Sequence, residues 1–104
     1  MTVKPYSIWW AFVPYADDPA RVKKRPVLII DPRKNIAVCL RMTSKPRKAS
    51  SDYIIIHWAE AGLTKPTVIN TAYQIILKHR DLETYIGQLH EQDELTLRFR
   101  YNVK

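Results

Sequence analysis

The amino-acid sequence predicts a mainly β protein that folds as a small barrel with short helices. Its N-terminal part contains several short apolar segments, rich in Ile, Val, Trp and Tyr, that are typical of strands. The chain has only two glycines, so the bends between these segments depend on its seven prolines and on Asp, Asn and Ser. At 104 residues, the whole chain (1–104) is expected to form a single domain around one modest core.

Four of the strands are predicted in the first 60 residues of the chain. They cover residues 8–13, 27–30, 36–42 and 53–58. Pro14 closes the first of them, and Asp31-Pro32 closes the second. Short strands at close spacing, with turn signals between them, are typical of a small barrel.

Two further elements are predicted near the C-terminus. Asp81 is a candidate N-cap, and the four apolar residues after it have the i, i+3, i+4, i+7 spacing of a short amphipathic helix. These four are Leu82, Tyr85, Ile86 and Leu89. Apolar and polar residues alternate over positions 95–103, which predicts a half-buried strand. A helix is the alternative there, because Leu and Arg also favour helices.

The basic residues are concentrated in one segment. The formal net charge is +7, and ten of the seventeen Lys and Arg residues lie between positions 21 and 48, against the single acid Asp31. These ten are Arg21, Lys23, Lys24, Arg25, Arg33, Lys34, Arg41, Lys45, Arg47 and Lys48. Such a field attracts polyanions, so RNA or DNA is the first candidate ligand. An anionic membrane and an acidic protein partner are the alternatives, but no basic amphipathic helix supports membrane binding.

Arg25 lies where this basic segment enters a predicted strand. The run Lys23-Lys24-Arg25-Pro26 leads directly into residues 27–30, so the strand would hold the guanidinium in place. A planar guanidinium matches two phosphate oxygens at once, which a lysine ammonium cannot do. Arg25 is therefore a candidate phosphate-binding residue. The alternative is a solvated strand entrance in a basic protein.

The single cysteine indicates the cellular compartment of the protein, and the number of aromatic residues indicates whether it forms oligomers. Cys39 is the only cysteine and lies in an apolar run, so we expect a buried structural thiol and a reducing, cytoplasmic environment. The apolar stretch at 8–13 is too short for a signal core or a membrane span. Three Trp and six Tyr exceed what so small a core hides, which favours a homodimer face or a stacking surface.

Several motifs follow one another in a distinctive order. They are Ile8-Trp9-Trp10, the run from Lys24 to Ile30, Met42-Thr43-Ser44, the run from Gly62 to Val68, Tyr73-Gln74-Ile75, and the run from Tyr85 to Leu89. In this order they resemble the PemK/MazF family, the ribonuclease toxins of bacterial toxin–antitoxin pairs. The resemblance implies an SH3-like barrel, a homodimer, cleavage of single-stranded RNA (mRNA) without metal or cofactor, and neutralisation by a small antitoxin. The basic segment suggests that this antitoxin is acidic.

The resemblance also assigns site residues. Arg25 matches the family's catalytic arginine, and Thr43 matches its active-site threonine, with Ser44 as a neighbouring hydroxyl donor. The alternative for Thr43 is a strand-end cap. The expected RNA-binding residues are the basic side chains around these positions: Lys23, Lys24, Arg41, Lys45, Arg47 and Lys48.

The chain departs from the family pattern after Gln74-Ile75. Many members have an arginine and then an aspartate of the active site soon after this position, where the present chain has Ile76-Leu77-Lys78-His79-Arg80-Asp81. Either one of the last four residues replaces them, or the chain cleaves RNA slowly or not at all. His79 is the candidate acid or base, because imidazole titrates near neutral pH; a turn residue is its alternative.

The other histidines do not indicate a metal site. His57 is expected to be a core or edge residue of a strand, and His90 a helix-end residue. The three histidines share no metal-ligand spacing, and one cysteine cannot complete a zinc site.

Two non-ribonuclease functions remain as alternatives. An SH3-like module could bind RNA or DNA without cutting it, with Trp9, Trp10 or Trp58 as stacking platforms. A related barrel fold poisons DNA gyrase through a C-terminal Trp-Gly-Ile, which is absent from the end of this chain, Arg100-Tyr101-Asn102-Val103-Lys104.

Overall fold

The computed structural model describes residues 2–15, 17–45 and 50–101 of the chain. These residues form one six-stranded antiparallel sheet, a short 3-10 helix and one α-helix. The elements in chain order are β1 (Ser7–Pro14), β2 (Val22–Pro32), β3 (Ile36–Thr43), β4 (Asp52–Ile54), β5 (Val68–Lys78), the 3-10 helix (His79–Asp81), β6 (Leu82–Gln88) and α1 (Glu91–Tyr101). The strand order is β4-β5-β3-β2-β1-β6, which confirms the prediction of a mainly β fold.

The central strands carry apolar side chains on both faces of the sheet. Successive residues of a strand point to opposite faces, so Leu28 joins one buried cluster while Val27 and Ile29 join the other. The first cluster continues under α1 through Leu97. This two-sided burial explains why the segment 27–30 is a continuous apolar run rather than an alternating one.

Cys39 lies at the centre of the second cluster. Its side chain is fully buried on β3, as the sequence predicted, and its thiol donates to the carbonyl oxygen of Ala37 at 3.5 Å. Burial raises the pKa of this thiol to about 12. The thiol is therefore a packing element and stays protonated at neutral pH.

The predicted strands 8–13, 27–30 and 36–42 are confirmed as β1, part of β2 and β3. β2 begins earlier than predicted, because its exposed N-terminal half pairs with β1 from Pro14↔Val22 to Trp10↔Pro26. The predicted strand 53–58 is wrong beyond Ile54, where β4 ends. The backbone amides of Ile56 and His57 donate to a side chain, Asp93, and not to a neighbouring strand.

Both predictions for the C-terminal part are wrong. Residues 82–88 form the edge strand β6, because pairing with β1 supplies hydrogen-bond partners for their backbone amides and carbonyls. Tyr85 pairs with Trp9 and its side chain is exposed, so the four apolar residues do not form one buried helical stripe. Residues 95–101 belong to α1, which buries Asp93 and Leu97, four positions apart. Acidic residues in its first turn and basic residues in its last also suit the helix dipole. Residues 102–104 lie outside the described part of the chain.

No helix among the described residues is long and apolar enough to cross a membrane.

The loop of residues 55–67 links β4 to β5 in the chain and contacts the opposite edge of the sheet. It follows β4 at one edge and packs its backbone against β6 at the other, where Ala61 and Gly62 face Ile86 and Gly87. Gly62 has a φ of +92°, which a residue with a side chain rarely adopts. A Cβ on Gly87 would overlap the carbonyl oxygen of Ala61. The only two glycines of the chain are therefore used at one contact, where the loop meets β6.

Gly87→Ala is expected to destabilise the fold by about 3 kcal/mol, because the new methyl group pushes the loop away from β6. Urea denaturation followed by circular dichroism measures this change. The control is Thr84→Ala on the exposed face of the same strand, expected to cost less than about 1 kcal/mol. Equal stabilities for the two variants would show that the loop and β6 are not in close contact.

Candidate nucleic-acid cleft

A cleft of about 310 Å³ opens where β2, the end of β3 and the loop 55–67 meet. Residues 23–26 of β2 form one wall, and residues 42–45 at the end of β3 form the floor. Residues 62–65 of the loop form the opposite wall, while Trp10 and Ile86 close the sides. Three of the four predicted catalytic residues, Arg25, Thr43 and Ser44, therefore line one cavity.

Arg25 is held by strand pairing and not by partners of its side chain. Its backbone pairs with Ala11 of β1, and the residue is half-buried. Within the described part of the chain, no side-chain hydrogen bond or ion pair engages its guanidinium. Its donors are free to bind an anion that enters the cleft.

Lys24 differs from Arg25 in this respect. Its ammonium lies 2.9 Å from a carboxylate oxygen of Glu83 and 5.8 Å from the centre of the Trp10 ring. Both partners are partly exposed, so the pair contributes little stability, about 0–1 kcal/mol. It nevertheless neutralises part of the Lys24 charge and holds this side chain over Trp10, which makes Lys24 a weaker candidate for direct phosphate binding.

The hydroxyl of Thr43 is oriented by its own turn. Its oxygen accepts the backbone amide of Lys45 at 3.1 Å, so Thr43 does cap the end of β3. The hydroxyl proton remains free to donate into the cleft. Ser44 is exposed beside it. The capping interpretation and the functional one are therefore compatible at this position.

The side chains described as lining the cleft include five cations and no acid. Among the described lining residues there is no Asp or Glu, and the basic side chains are Lys23, Lys24, Arg25, Lys45 and Lys65. Lys65 was not predicted as a binding residue, because only the fold brings the loop 55–67 opposite β2. An acid-free cationic cavity concentrates a polyanion.

The remaining predicted RNA-binding residues are placed differently. Arg41 pairs with Val27 inside the sheet and does not line the cleft. Arg47 and Lys48 lie outside the described residues. Of the three tryptophans, Trp9 is buried, Trp58 packs against the core, and Trp10 lines the cleft.

His79 lies at the other end of the sheet. The pairing of β3 with β5 runs from Thr43↔Val68 at the cleft to Ile36↔Lys78, a separation of roughly 23 Å along β3. The imidazole Nε2 is 3.0 Å from the carbonyl oxygen of Ile36, so this nitrogen donates and the carbonyl oxygen accepts. Within one chain, the fold does not bring His79 into the cleft.

The residues around His79 are equally remote. The Asp81 carboxylate accepts the backbone amide of Lys78 at 3.1 Å and so closes the 3-10 helix. Neither of these residues, nor Arg80, lines the cleft. None of the residues 78–81 therefore supplies this cavity, within one chain, with a replacement for the family's arginine and aspartate.

The loop that forms one wall of the cleft is anchored by Asp93 of α1. This carboxylate is fully buried and accepts the Tyr53 hydroxyl at 2.6 Å and the amides of Ile56 and His57 at 2.9 and 2.8 Å. Burial, followed by the bond to Asp93, raises the pKa of Tyr53 to about 12, so the phenol remains a donor at neutral pH. The first and last residues of the loop are also joined to each other, because the amide of Ile55 donates to the carbonyl oxygen of Thr67 at 3.1 Å.

Sequence reasoning missed Asp93 as the residue that anchors this loop. The sequence feature that could have identified it is that Asp93 lies four residues before Leu97, which places the two side chains on one face of a helix.

The cleft contains no metal-ligand set. None of its described lining residues is His, Cys, Asp or Glu. The one group within the described ranges that could hold a metal ion comprises His57, Glu60 and His90, and it lies outside the cleft.

Comparisons with known proteins agree with this architecture. Residues 4–98 match the family model described as PemK-like, MazF-like toxin of type II toxin–antitoxin system. Among solved structures, the Mycobacterium tuberculosis toxin MazF-mt6 is 23% identical with a TM-score of 0.73, covering 92% of each chain. An endoribonuclease solved with its cognate antitoxin, from a mycobacterial species, is 15% identical with a TM-score of 0.72, covering 98% of this chain and 89% of that one. Comparison with curated protein sequences yields no matching relative.

Asp93→Asn is expected to destabilise the protein by about 2–4 kcal/mol, because an amide cannot accept from all three donors and turns an NH₂ toward one of them. Chemical denaturation measures the loss. Tyr53→Phe is the matched variant, expected to cost about 1–2 kcal/mol, since it leaves both backbone amides paired. If Asp93→Asn were no more costly than Tyr53→Phe, the carboxylate would not anchor the loop.

Proposed function

The chain belongs to the PemK-like, MazF-like toxins of type II toxin–antitoxin systems, and from that premise we propose that its cleft cuts single-stranded RNA without a metal ion. The observation that carries the proposal is the meeting of Arg25 and Thr43 in one cationic cavity without an acidic side chain in its described lining. RNA brings its own nucleophile, the 2′-hydroxyl, so the enzyme has only to position the strand and stabilise the charge that develops.

The reaction follows from these groups. The 2′-oxygen attacks the phosphorus atom and the bond to the 5′-oxygen breaks, which gives a 2′,3′-cyclic phosphate and a 5′-hydroxyl. Arg25 binds the non-bridging oxygens as their negative charge grows, and the hydroxyls of Thr43 and Ser44 donate to the same phosphate. Lys23, Lys45 and Lys65 hold the flanking phosphates of the strand.

Proton transfer is the step for which the cleft is least equipped. No imidazole or carboxylate lies among its described lining residues. In this proposal, water takes the 2′-proton and protonates the leaving 5′-oxygen, and catalysis rests on positioning and charge stabilisation. The same lack of an acid–base group favours one alternative, a module of this fold that binds RNA or DNA without cutting it.

The proposal includes two protein partners, a second copy of the chain and an acidic antitoxin. Among the described residues, ten large hydrophobic side chains are exposed, including Tyr73 and Ile76 on β5 and Leu95 and Phe99 on α1. Exposed apolar side chains of this kind offer a surface that a second copy of the chain could cover. An acidic peptide with a few apolar residues would cover the cationic cleft and compete with RNA. The antitoxin bound to the mycobacterial endoribonuclease supports a partner of this kind.

Arg25→Ala is expected to lower single-turnover cleavage of an RNA oligonucleotide by about 10²–10³-fold, because the developing phosphate charge loses its bidentate donor. Arg25→Lys should recover only part of the rate, since a point charge cannot hold two oxygens in the same geometry. Arg33→Ala is the control, because Arg33 is exposed and paired with Asp31 away from the cleft. EDTA should leave the wild-type rate unchanged.

Three results would count against this assignment of the site. A rate that EDTA abolishes while the protein stays folded by circular dichroism, in the Glu60→Gln variant as well as in wild type, would contradict the metal-independent reaction. Equal rates for wild type, Arg25→Ala and Arg25→Lys would remove Arg25 from the site. Tight RNA binding with no cleavage by wild type would favour the binding module.

His79→Ala is expected to leave the cleavage rate within about twofold of wild type, because the imidazole lies outside the cleft and contacts the carbonyl oxygen of Ile36. The wild-type rate should rise through neutral pH without the bend that a catalytic imidazole produces. A loss of about 10²-fold, with RNA affinity unchanged, would instead make His79 the general acid or base.

Light scattering of the purified protein is expected to give twice the 12.2 kDa mass of the chain. An acidic partner should protect RNA from cleavage, and its affinity should fall as salt rises, because screening weakens charge pairing. A monomer at micromolar concentration would reject the homodimer. An inhibitor that leaves RNA binding intact would not be occupying the cleft.

A further inference from the structure

Two histidines and a glutamate meet where the loop 55–67 joins the start of α1. The Nδ1 atom of His57 is 3.1 Å, and the Nε2 atom of His90 is 3.6 Å, from the same carboxylate oxygen of Glu60. The three potential ligand atoms lie within 4.8 Å of one another. Residues 57 and 60 belong to the loop, whereas His90 immediately precedes α1, so the cluster connects two separate segments.

We propose that this cluster is a binding site for a divalent transition metal, with zinc as the preferred ion. Zinc binds imidazole nitrogen and carboxylate oxygen at about 2.0–2.2 Å in a tetrahedron, which places neighbouring ligand atoms about 3.3–3.5 Å apart. The two measured separations from the Glu60 oxygen, 3.1 and 3.6 Å, lie on either side of that spacing. Two imidazoles and one carboxylate form a recognised zinc ligand set, and water would take the fourth position.

Gln92 supplies the outer contact that such a site requires. Its side-chain oxygen lies 2.8 Å from Nε2 of His57, so that nitrogen donates its proton to Gln92. In the neutral ring, Nδ1 then carries a lone pair directed at the Glu60 carboxylate 3.1 Å away. A metal ion between these two atoms would accept the Nδ1 lone pair and a lone pair of the carboxylate oxygen together.

Coordination rearranges the two rings. In the metal-free geometry, the rings of His57 and His90 stack with centroids 4.0 Å apart and an interplanar angle of 22°. Metal binding turns each ring about its Cβ–Cγ bond until its lone pair meets the ion. With Nε2 bound to the ion, Nδ1 of the neutral His90 ring carries the proton, so the hydrogen bond that Nδ1 now accepts from the backbone amide of Gln92 at 3.1 Å is given up as the ring turns. Both rings are only partly buried, with 26% and 32% of their side chains exposed, which leaves room for this motion.

The position of the cluster, between the loop and the start of α1, implies that a bound metal would stabilise the fold. The same loop continues into the wall of the cleft, and the His57 amide already donates to Asp93. A metal bound at His57, Glu60 and His90 fastens the loop to α1 a second time and stabilises the native state by mass action. It does not touch the cleft, so this inference stands independently of the proposed ribonuclease activity.

The test uses the full chain without an affinity tag, after treatment with a chelator and its removal by dialysis. Titration with Zn²⁺ by calorimetry should give one ion per chain and raise the melting temperature. Co²⁺ should give the visible absorption bands of a tetrahedral site. Glu60→Gln, which keeps the size of an exposed side chain, should weaken Zn²⁺ binding at least tenfold and abolish the Co²⁺ bands, and His90→Asn should do the same.

Two controls separate this site from non-specific binding. Glu91→Gln removes an exposed acid next to the cluster, and His79→Ala removes the third histidine; neither should change the affinity or the stoichiometry. Absence of stoichiometric Zn²⁺ binding by wild type would overturn the proposal. Binding that Glu60→Gln and His90→Asn leave unchanged would overturn it as well.

Discussion

The buried carboxylate of Asp93 is the interaction on which the rest of this structure depends. A carboxylate removed from water destabilises the fold unless several donors surround it, and here a phenol and two backbone amides do so. Those donors belong to β4 and to the loop that follows it, whereas Asp93 belongs to α1. One side chain therefore fixes the helix, the edge of the sheet and the start of the loop relative to one another.

The loop then carries this constraint to the cleft. It crosses to β6, where the contact between Ala61 and Gly87 admits no side chain, and its following residues form the wall of the cleft that bears Lys65. The opposite wall is equally constrained, since pairing of Arg25 with Ala11 sets the position of the arginine backbone. Two rigid walls thus present cationic side chains to one cavity, as phosphate recognition requires. The side-chain partners of these cations differ, because Lys24 pairs with Glu83 while the Arg25 guanidinium has no such partner among the described residues.

The sequence predicted those elements whose structure depends on residues close together in the chain. The strands β1 to β3 follow from continuous or alternating apolar runs, and the order of Arg25 and Thr43 along the chain anticipated that they share a cavity. The stripe from Leu82 to Leu89 predicted a helix, but pairing with β1 prevailed over it. The alternation at 95–103 predicted a strand, but the burial of Asp93 and Leu97 required a helix. In both cases a contact with a distant segment decided the structure, and no window of sequence contains that information. For the same reason, the sequence did not predict the position of Lys65 in the cleft or the contact of His57 and Glu60 with His90.

The central claim is that the cleft uses the 2′-hydroxyl of RNA as the nucleophile, and the chemical ends of the products test it most directly. Mass spectrometry of an oligonucleotide cleaved by the purified protein should find a 2′,3′-cyclic phosphate, or the 3′-phosphate formed from it, on one fragment and a 5′-hydroxyl on the other. The same oligonucleotide with a single 2′-deoxy substitution at the cleaved nucleotide should remain intact at that position. Fragments that end in a 3′-hydroxyl and a 5′-phosphate, or cleavage that continues at the 2′-deoxy position, would contradict this account.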